Sequence, residues 1–192
     1  MKAHLGEDQR DVLQELMNIS MGQAANELAK LIETKITLSI PHIVSVTPEE
    51  FARIFESTDV NWFTRQSFLG GLHGEVITLL SKDGADAIAS LMDYDLPLDE
   101  SATEELMLEL ANILAGACLK GFTEQLGLKA NLSMPTSYFP TAEKTDQFRW
   151  DSALLMEVEF NVEQSEFRSN VLICLEEHSV QSLIERLNSL LE

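Results

Sequence analysis

The sequence predicts an α+β protein: two pseudo-twofold-related repeats forming a largely antiparallel sheet with long helices packed on it. Three observations carry this reading. A helical motif occurs twice, running Asp11-x3-Glu15-x2-Asn18-x3-Gly22 and then Glu105-x3-Glu109-x2-Asn112-x3-Gly116, with Pro41 and Pro135 each following their Asn after twenty-two intervening residues. All these positions are displaced by 94 residues, as are Leu16/Leu110, Lys35/Lys129 and Ser39/Ser133. Each half also contains paired strand-like stretches and closes with a second helical period. A repeat of this length is too long for a solenoid or propeller blade, whose units run about 20 to 50 residues. One domain over 1–192, with repeats at about 8–93 and 101–191, is therefore expected.

Taken in order, Val12, Leu13, Leu16, Ile19, Ala24, Leu28 and Leu31 recur at helical spacing from Asp8 to about Glu33. Asp8 is the expected N-cap, and Asp11 suits the positive end of the helix dipole. A strand from Lys35 to about Val46 is broken at Pro41, which lacks the N–H a central strand needs and so marks a bend or the rim of the sheet. Pro48 opens a short helix to about Phe55. Two strands follow, about Val60 to Ser67 and Gly74 to Leu80, turning at Gly70-Gly71. A helix from about Gly84 to Met92 and the acidic stretch Asp93–Glu100 end the half.

The second half replays this order. Ser101 with Glu104 forms the expected capping box of a helix ending before Gly127. A strand from Lys129 carries Pro135, and residues 136–147 are expected to be irregular. Ala153 to Val162 alternates, with Leu154, Met156, Val158, Phe160 and Val162 on one face, and Phe167 to Leu175 returns as its hairpin partner. A helix from about Ser179 to Leu191 closes the chain, its Val180, Leu183, Ile184 and Leu187 matching Ala85, Ile88, Ala89 and Met92 at a shift of 95.

Composition narrows the function. With 45% hydrophobic residues the chain can bury a core, but its 32 acidic against 13 basic residues give a net charge of −19. Nucleic acid and anionic membranes are therefore poor partners, since phosphate binding is driven by Lys and Arg. Cys118 and Cys174 lie in apolar runs without metal-ligand spacing and are expected to be buried free thiols. The opening residues lack the apolar core of a signal peptide. The longest apolar run, Leu106 to Leu119, is 14 residues and contains Glu109 and Asn112, too short and polar for a bilayer. A cytoplasmic protein is expected. The four histidines are scattered, and no phosphate-binding loop or nucleophile elbow occurs, so neither a metal nor a cofactor is implied.

The chemistry concentrates on the repeated helix. Positions i, i+4, i+7 and i+11 share a face, so Asp11, Glu15, Asn18 and Gly22 form one stripe and Glu105, Glu109, Asn112 and Gly116 its counterpart. Singly, each has an ordinary explanation: a solvated glutamate, an asparagine tying down a loop, a glycine at a packing contact. Asparagine and glycine are nevertheless poor helix-interior residues, by about 0.5 and 1 kcal/mol against alanine. Their joint repetition points to a recognition face framed by apolar residues.

The pattern Asp/Ser-x3-Glu-x2-Asn-x22-Pro, present twice, resembles the signature of the CheC/CheX/FliY family of chemotaxis phosphatases, and its two copies most resemble the two-site CheC form. The flanking Glu15-Leu16-Met17-Asn18-Ile19-Ser20-Met21-Gly22 and Glu109-Leu110-Ala111-Asn112-Ile113-Leu114-Ala115-Gly116 carry the same likeness. Glu105 stands where the family prefers Asp or Ser, and Met17 and Ala111 where glycine is usual. The resemblance implies a CheC-like fold that hydrolyses the aspartyl phosphate of a CheY-like response regulator, whose own Mg²⁺ neutralises the phosphoryl charge. It assigns Asn18 and Asn112 to holding the attacking water, and Glu15 and Glu109 to pairing with the receiver's lysine. Asp11, Pro41, Glu105 and Pro135 would support them. It also implies two alternatives, a non-catalytic regulator-binding module and an adaptor for a CheD-like deamidase. The first stripe matches the motif better and is expected to be the stronger site.

Overall fold

The computed structural model describes residues 5–56, 62–137 and 150–192. Helical periodicity becomes α1 (Glu7–Ile32), proline-initiated α2 (Pro48–Glu56), α3 (Ala85–Leu91), α4 (Glu100–Gln125) and α5 (Glu177–Leu191). The strands are β1 (Ile36–Leu38), β2 (His42–Val46), β3 (Trp62–Gly70), β4 (Gly74–Leu80), β5 (Ala130–Leu132), β6 (Thr136–Ser137), β7 (Ala153–Val162) and β8 (Arg168–Glu176). Pro41 separates β1 from β2 and Pro135 separates β5 from β6, as proline without an N–H requires. The short bridge β6 occupies the start of the segment expected to be irregular, whose remainder to residue 147 lies outside the described residues.

Both expected caps shift. Gly6, not Asp8, is the N-cap of α1, where its backbone N–H donates to Gln9 Oε1 at 2.8 Å. Asp99 takes the place expected of Ser101, accepting from the Ala102 N–H at 2.7 Å. A carboxylate two residues earlier caps as well as a hydroxyl, so Ser101 becomes an ordinary first-turn residue.

All eight strands join one antiparallel sheet in the order β1-β7-β8-β4-β3-β5, with β2 also on β7 and β6 on β3. The register is symmetric about the β4–β8 pair. Phe68 lies opposite Leu132 just as Phe160 lies opposite Leu38, and Arg65 opposite Thr136 just as Glu157 lies opposite His42. The short strands of each half thus edge the hairpin of the other half.

Alternation sorts the side chains into two cores. Val76 and Leu80 face α1 and α4, where Leu154, Met156, Val158, Phe160 and Val162 join the main core with Ile88, Leu183 and Leu187 from α3 and α5. Ile77 and Leu79 face the other way, into a smaller cluster with Phe51, Leu155, Leu172 and Trp150. There the Phe51 and Trp150 rings meet edge to face at 5.7 Å.

The long helices lie against each other on the sheet. Gly121 of α4 abuts Ser20 of α1, whereas Cys118 lies within the field of Glu27, so the pair runs antiparallel. The 14-residue run expected to be too short for a membrane is part of a 26-residue helix that is long and apolar enough to cross one by length and composition. In the fold it is a core helix, with 67% of its apolar window buried.

Candidate functional site

Sheet packing buries Leu13, Leu16, Met17, Ser20 and Met21 of α1, which turns the motif outward. Asp11, Glu15 and Asn18 are exposed and Gly22 is half-exposed. The same holds on α4, where Leu106, Met107, Leu110, Ala111 and Leu114 are buried, Glu105, Glu109 and Asn112 are exposed, and Gly116 is half-exposed. The structure therefore brings each Glu and Asn together on one open stripe, twice. Because α1 and α4 run antiparallel, the stripes sit at opposite ends of the pair. Pro41 is buried beside the first stripe, where Gln14 Nε2 donates to its carbonyl oxygen at 3.2 Å. Pro135 is half-buried and follows Ser133, whose carbonyl lies under the second stripe.

The two stripes differ in how their side chains are held. Among the described residues, the side chains of Glu15 and Asn18 make no hydrogen bond, and both are free to meet a partner. On the second stripe Tyr94 Oη donates to Glu109 Oε2 at 2.6 Å, and Gln66 Nε2 donates to Asn112 Oδ1 at 3.0 Å. Burial, the hydrogen bond to Glu109 and the nearby charges of Glu109 and Glu105 push the Tyr94 phenol above its ordinary range, so it stays protonated as a donor. Sequence reading missed both Tyr94 and Gln66. The available signal was weak: a glutamine on one phase of a strand, and a lone aromatic within an acidic connection.

The repeated glycines do not pack as the sequence allowed. A Cβ at Gly22 or Gly116 would meet nothing within 4 Å, whereas one at Gly121 would lie 3.1 Å from Ser20 Cα and 2.9 Å from Gln23 Oε1. Gly121 is the helix-contact glycine, and Gly22 and Gly116 keep the stripes bare. Gly116 also borders a groove of about 520 Å³ between α4 and β5. Gly22→Ala and Gly116→Ala should each raise stability by up to about 1 kcal/mol, because alanine favours the helix and clashes with nothing. Urea midpoints check this, and a fall would reveal a contact at these positions.

Cys118 and Cys174 are both buried and unpaired. Burial pushes each thiol far above the usual range, with Glu27 adding to the effect at Cys118 and Glu75 at Cys174. Among the described residues, no group of three His, Cys, Asp or Glu side chains is placed to hold a metal ion.

The chain resembles known proteins in sequence and in fold. A family model described as the CheC-like family matches residues 9–45, which contain the first motif through Pro41. The CheY-P phosphatase CheC of Bacillus subtilis (strain 168) is 28% identical over 138 residues, 67% of this chain and 65% of the relative, so the match spans just under two thirds of that protein. Thermotoga maritima FliY has the same fold, with a TM-score of 0.74 at 19% identity over 97% of this chain and 99% of that one. FliM in the H. pylori FliM–SpeE complex matches with a TM-score of 0.69 at 11% identity over 97% of each chain. The CheX–CheY–BeF3–Mg²⁺ complex from Borrelia burgdorferi matches with 0.51 at 19% identity, over 82% of this chain and 96% of that one. The resemblance to the CheC/CheX/FliY family, drawn from the repeated motif, is borne out, and the fold is CheC/FliY-like.

Proposed function

We propose that this chain, CheC-like in its first motif and in its fold, is a phosphatase for the aspartyl phosphate of a CheY-like response regulator. One observation carries the reading: two antiparallel core helices, each buried along its sheet-facing side, lay an exposed Glu and Asn three residues apart on the open side. The B. subtilis relative, named a CheY-P phosphatase, and the CheX–CheY complex among the fold neighbours support it.

The chemistry asks little of the enzyme beyond placement. In a receiver domain, a bound Mg²⁺ offsets the phosphoryl charge, and what remains is to set a water in line with the bond that breaks. The amide of Asn18 or Asn112 can accept from that water and donate to a phosphoryl oxygen. The water oxygen then bonds to phosphorus, the aspartyl oxygen departs as carboxylate, and the surplus proton leaves with the phosphate or to solvent. Glu15 or Glu109, on the same face, pairs with a receiver lysine. One exposed ion pair contributes only about 0 to 1 kcal/mol, so its role is register more than affinity.

Phosphate release from an acyl-phosphorylated CheY-like receiver with Mg²⁺ is expected to accelerate when this chain is added in catalytic amount. Binding without acceleration would replace the enzyme reading with a regulator-binding module, an alternative that the FliM-like fold allows. Binding only to a CheD-like deamidase would leave the adaptor reading.

A further inference from the structure

We propose that Gln66 is a positioning residue that fixes the rotamer of the Asn112 amide by donating to one lone pair of its oxygen, which leaves the second lone pair for the attacking water and the NH2 outward and makes the second stripe the pre-organised one. This rests on the phosphatase reading of the stripes. Gln66 lies on β3 beneath α4 and is 1% exposed. Its Nε2 donates twice, to Asn112 Oδ1 at 3.0 Å and to the Ser133 carbonyl at 3.0 Å. The main-chain carbonyl can only accept, which requires the Gln66 nitrogen to face it. The same nitrogen faces Asn112, so the atom presented to it there must be oxygen and the Asn112 NH2 points away from the sheet.

The first stripe has no such device. The register that equates Phe68 with Phe160 equates Gln66, two residues earlier, with Val158, which is 1% exposed and has no polar side-chain atom. Asn18 is left to rotate. Nor is Gln66 explained by core stability, because its Oε1 is buried without a hydrogen-bond partner and a half-satisfied amide weakens a core. Glu109 is tethered as well, by Tyr94 at 2.6 Å, while Glu15 is not. Both functional side chains of one stripe are held and both of the other are loose. The order of strength expected from the motif match alone is thereby reversed.

Two single-site proteins test this, Asn18→Ala with only the second stripe and Asn112→Ala with only the first. In the Asn18→Ala protein, Gln66→Leu should lower kcat about tenfold with little change in KM, since a misplaced group loses orientation before binding. In the Asn112→Ala protein the same substitution should leave the rate of the first stripe where it was. Equal losses in both would mean that Gln66 merely supports the fold, and no loss in either would mean that it positions nothing; both overturn the proposal. Side-chain amide relaxation by NMR decides it without turnover. The Asn112 amide should be more ordered than the Asn18 amide, and should fall to that level in Gln66→Leu. If neither single-site protein speeds hydrolysis, the phosphatase reading fails while the NMR comparison still judges the positioning; equal order for the two amides in the unsubstituted protein would overturn it.

Discussion

Hydrolysis of a phosphorylated receiver is expected to fall to the receiver's own rate when Asn18→Ala and Asn112→Ala are combined. Each amide is the one group on its stripe that can both accept from a water and donate to a phosphoryl oxygen. Losing a single oriented group of this kind reduces kcat by about 10²- to 10³-fold in other enzymes, and here nothing on the stripe replaces it. Either single substitution leaves a working site, so only the pair should be silent. Folding is not the reason, because alanine is the better helix former by about 0.5 kcal/mol and both side chains are exposed. Glu15→Ala with Glu109→Ala should act differently, raising KM more than it lowers kcat, since the carboxylates set docking register. A double asparagine variant as fast as the unsubstituted protein would remove the asparagines from the mechanism.

Gly121→Val is expected to destabilise the fold by about 2 to 3 kcal/mol, a large share of the 5–15 kcal/mol typical of a domain. Its Cβ would lie 3.1 Å from Ser20 Cα and 3.2 Å from Ser20 Cβ, and the γ carbons of valine add bulk that α1 cannot move away from without leaving the sheet. Helix propensity works the other way, since glycine is about 1 kcal/mol worse than alanine in a helix interior. The clash should win because, although the Gln23 side-chain end at 2.9 Å can swing away, the Ser20 Cα and Cβ behind it cannot. Urea denaturation read by circular dichroism tests this. A midpoint equal to that of the unsubstituted protein would show the helices to be less closely apposed than the structure has them.

Much of the fold could be read from the chain because its signals are local. Pro41 and Pro135 break strands for want of an N–H, and the alternation from Ala153 to Val162 identified the core face of β7. Repetition marked the residues of the two stripes, yet it could not say what each glycine does. Gly22 and Gly116 recur and touch nothing, while Gly121, which has no counterpart in the first helix, is where the helices meet. Gln66 was hidden for a different reason. Both phases of its strand mix polar and apolar residues, Thr64, Gln66 and Phe68 against Phe63, Arg65 and Ser67, so periodicity does not tell which phase is inward. Its partner Asn112 is 46 residues away, a separation at which pairing is a property of the sheet and not of the local chain.

The exchange of edge strands between halves bears on ancestry and on dissection. Since β1 and β2 complete the hairpin strand β7, and β5 and β6 complete β3, a repeat cut free in the connection at residues 93–99 would expose unpaired edges on its own hairpin. It would also part Asn112 from Gln66. A lone repeat could close its sheet only by trading strands with a second copy of itself, so a single-repeat forebear of this chain would have worked as a homodimer. The floors of the two stripes differ within the one chain, with Gln66 beneath Asn112 and Val158 at the equivalent strand position of the first half.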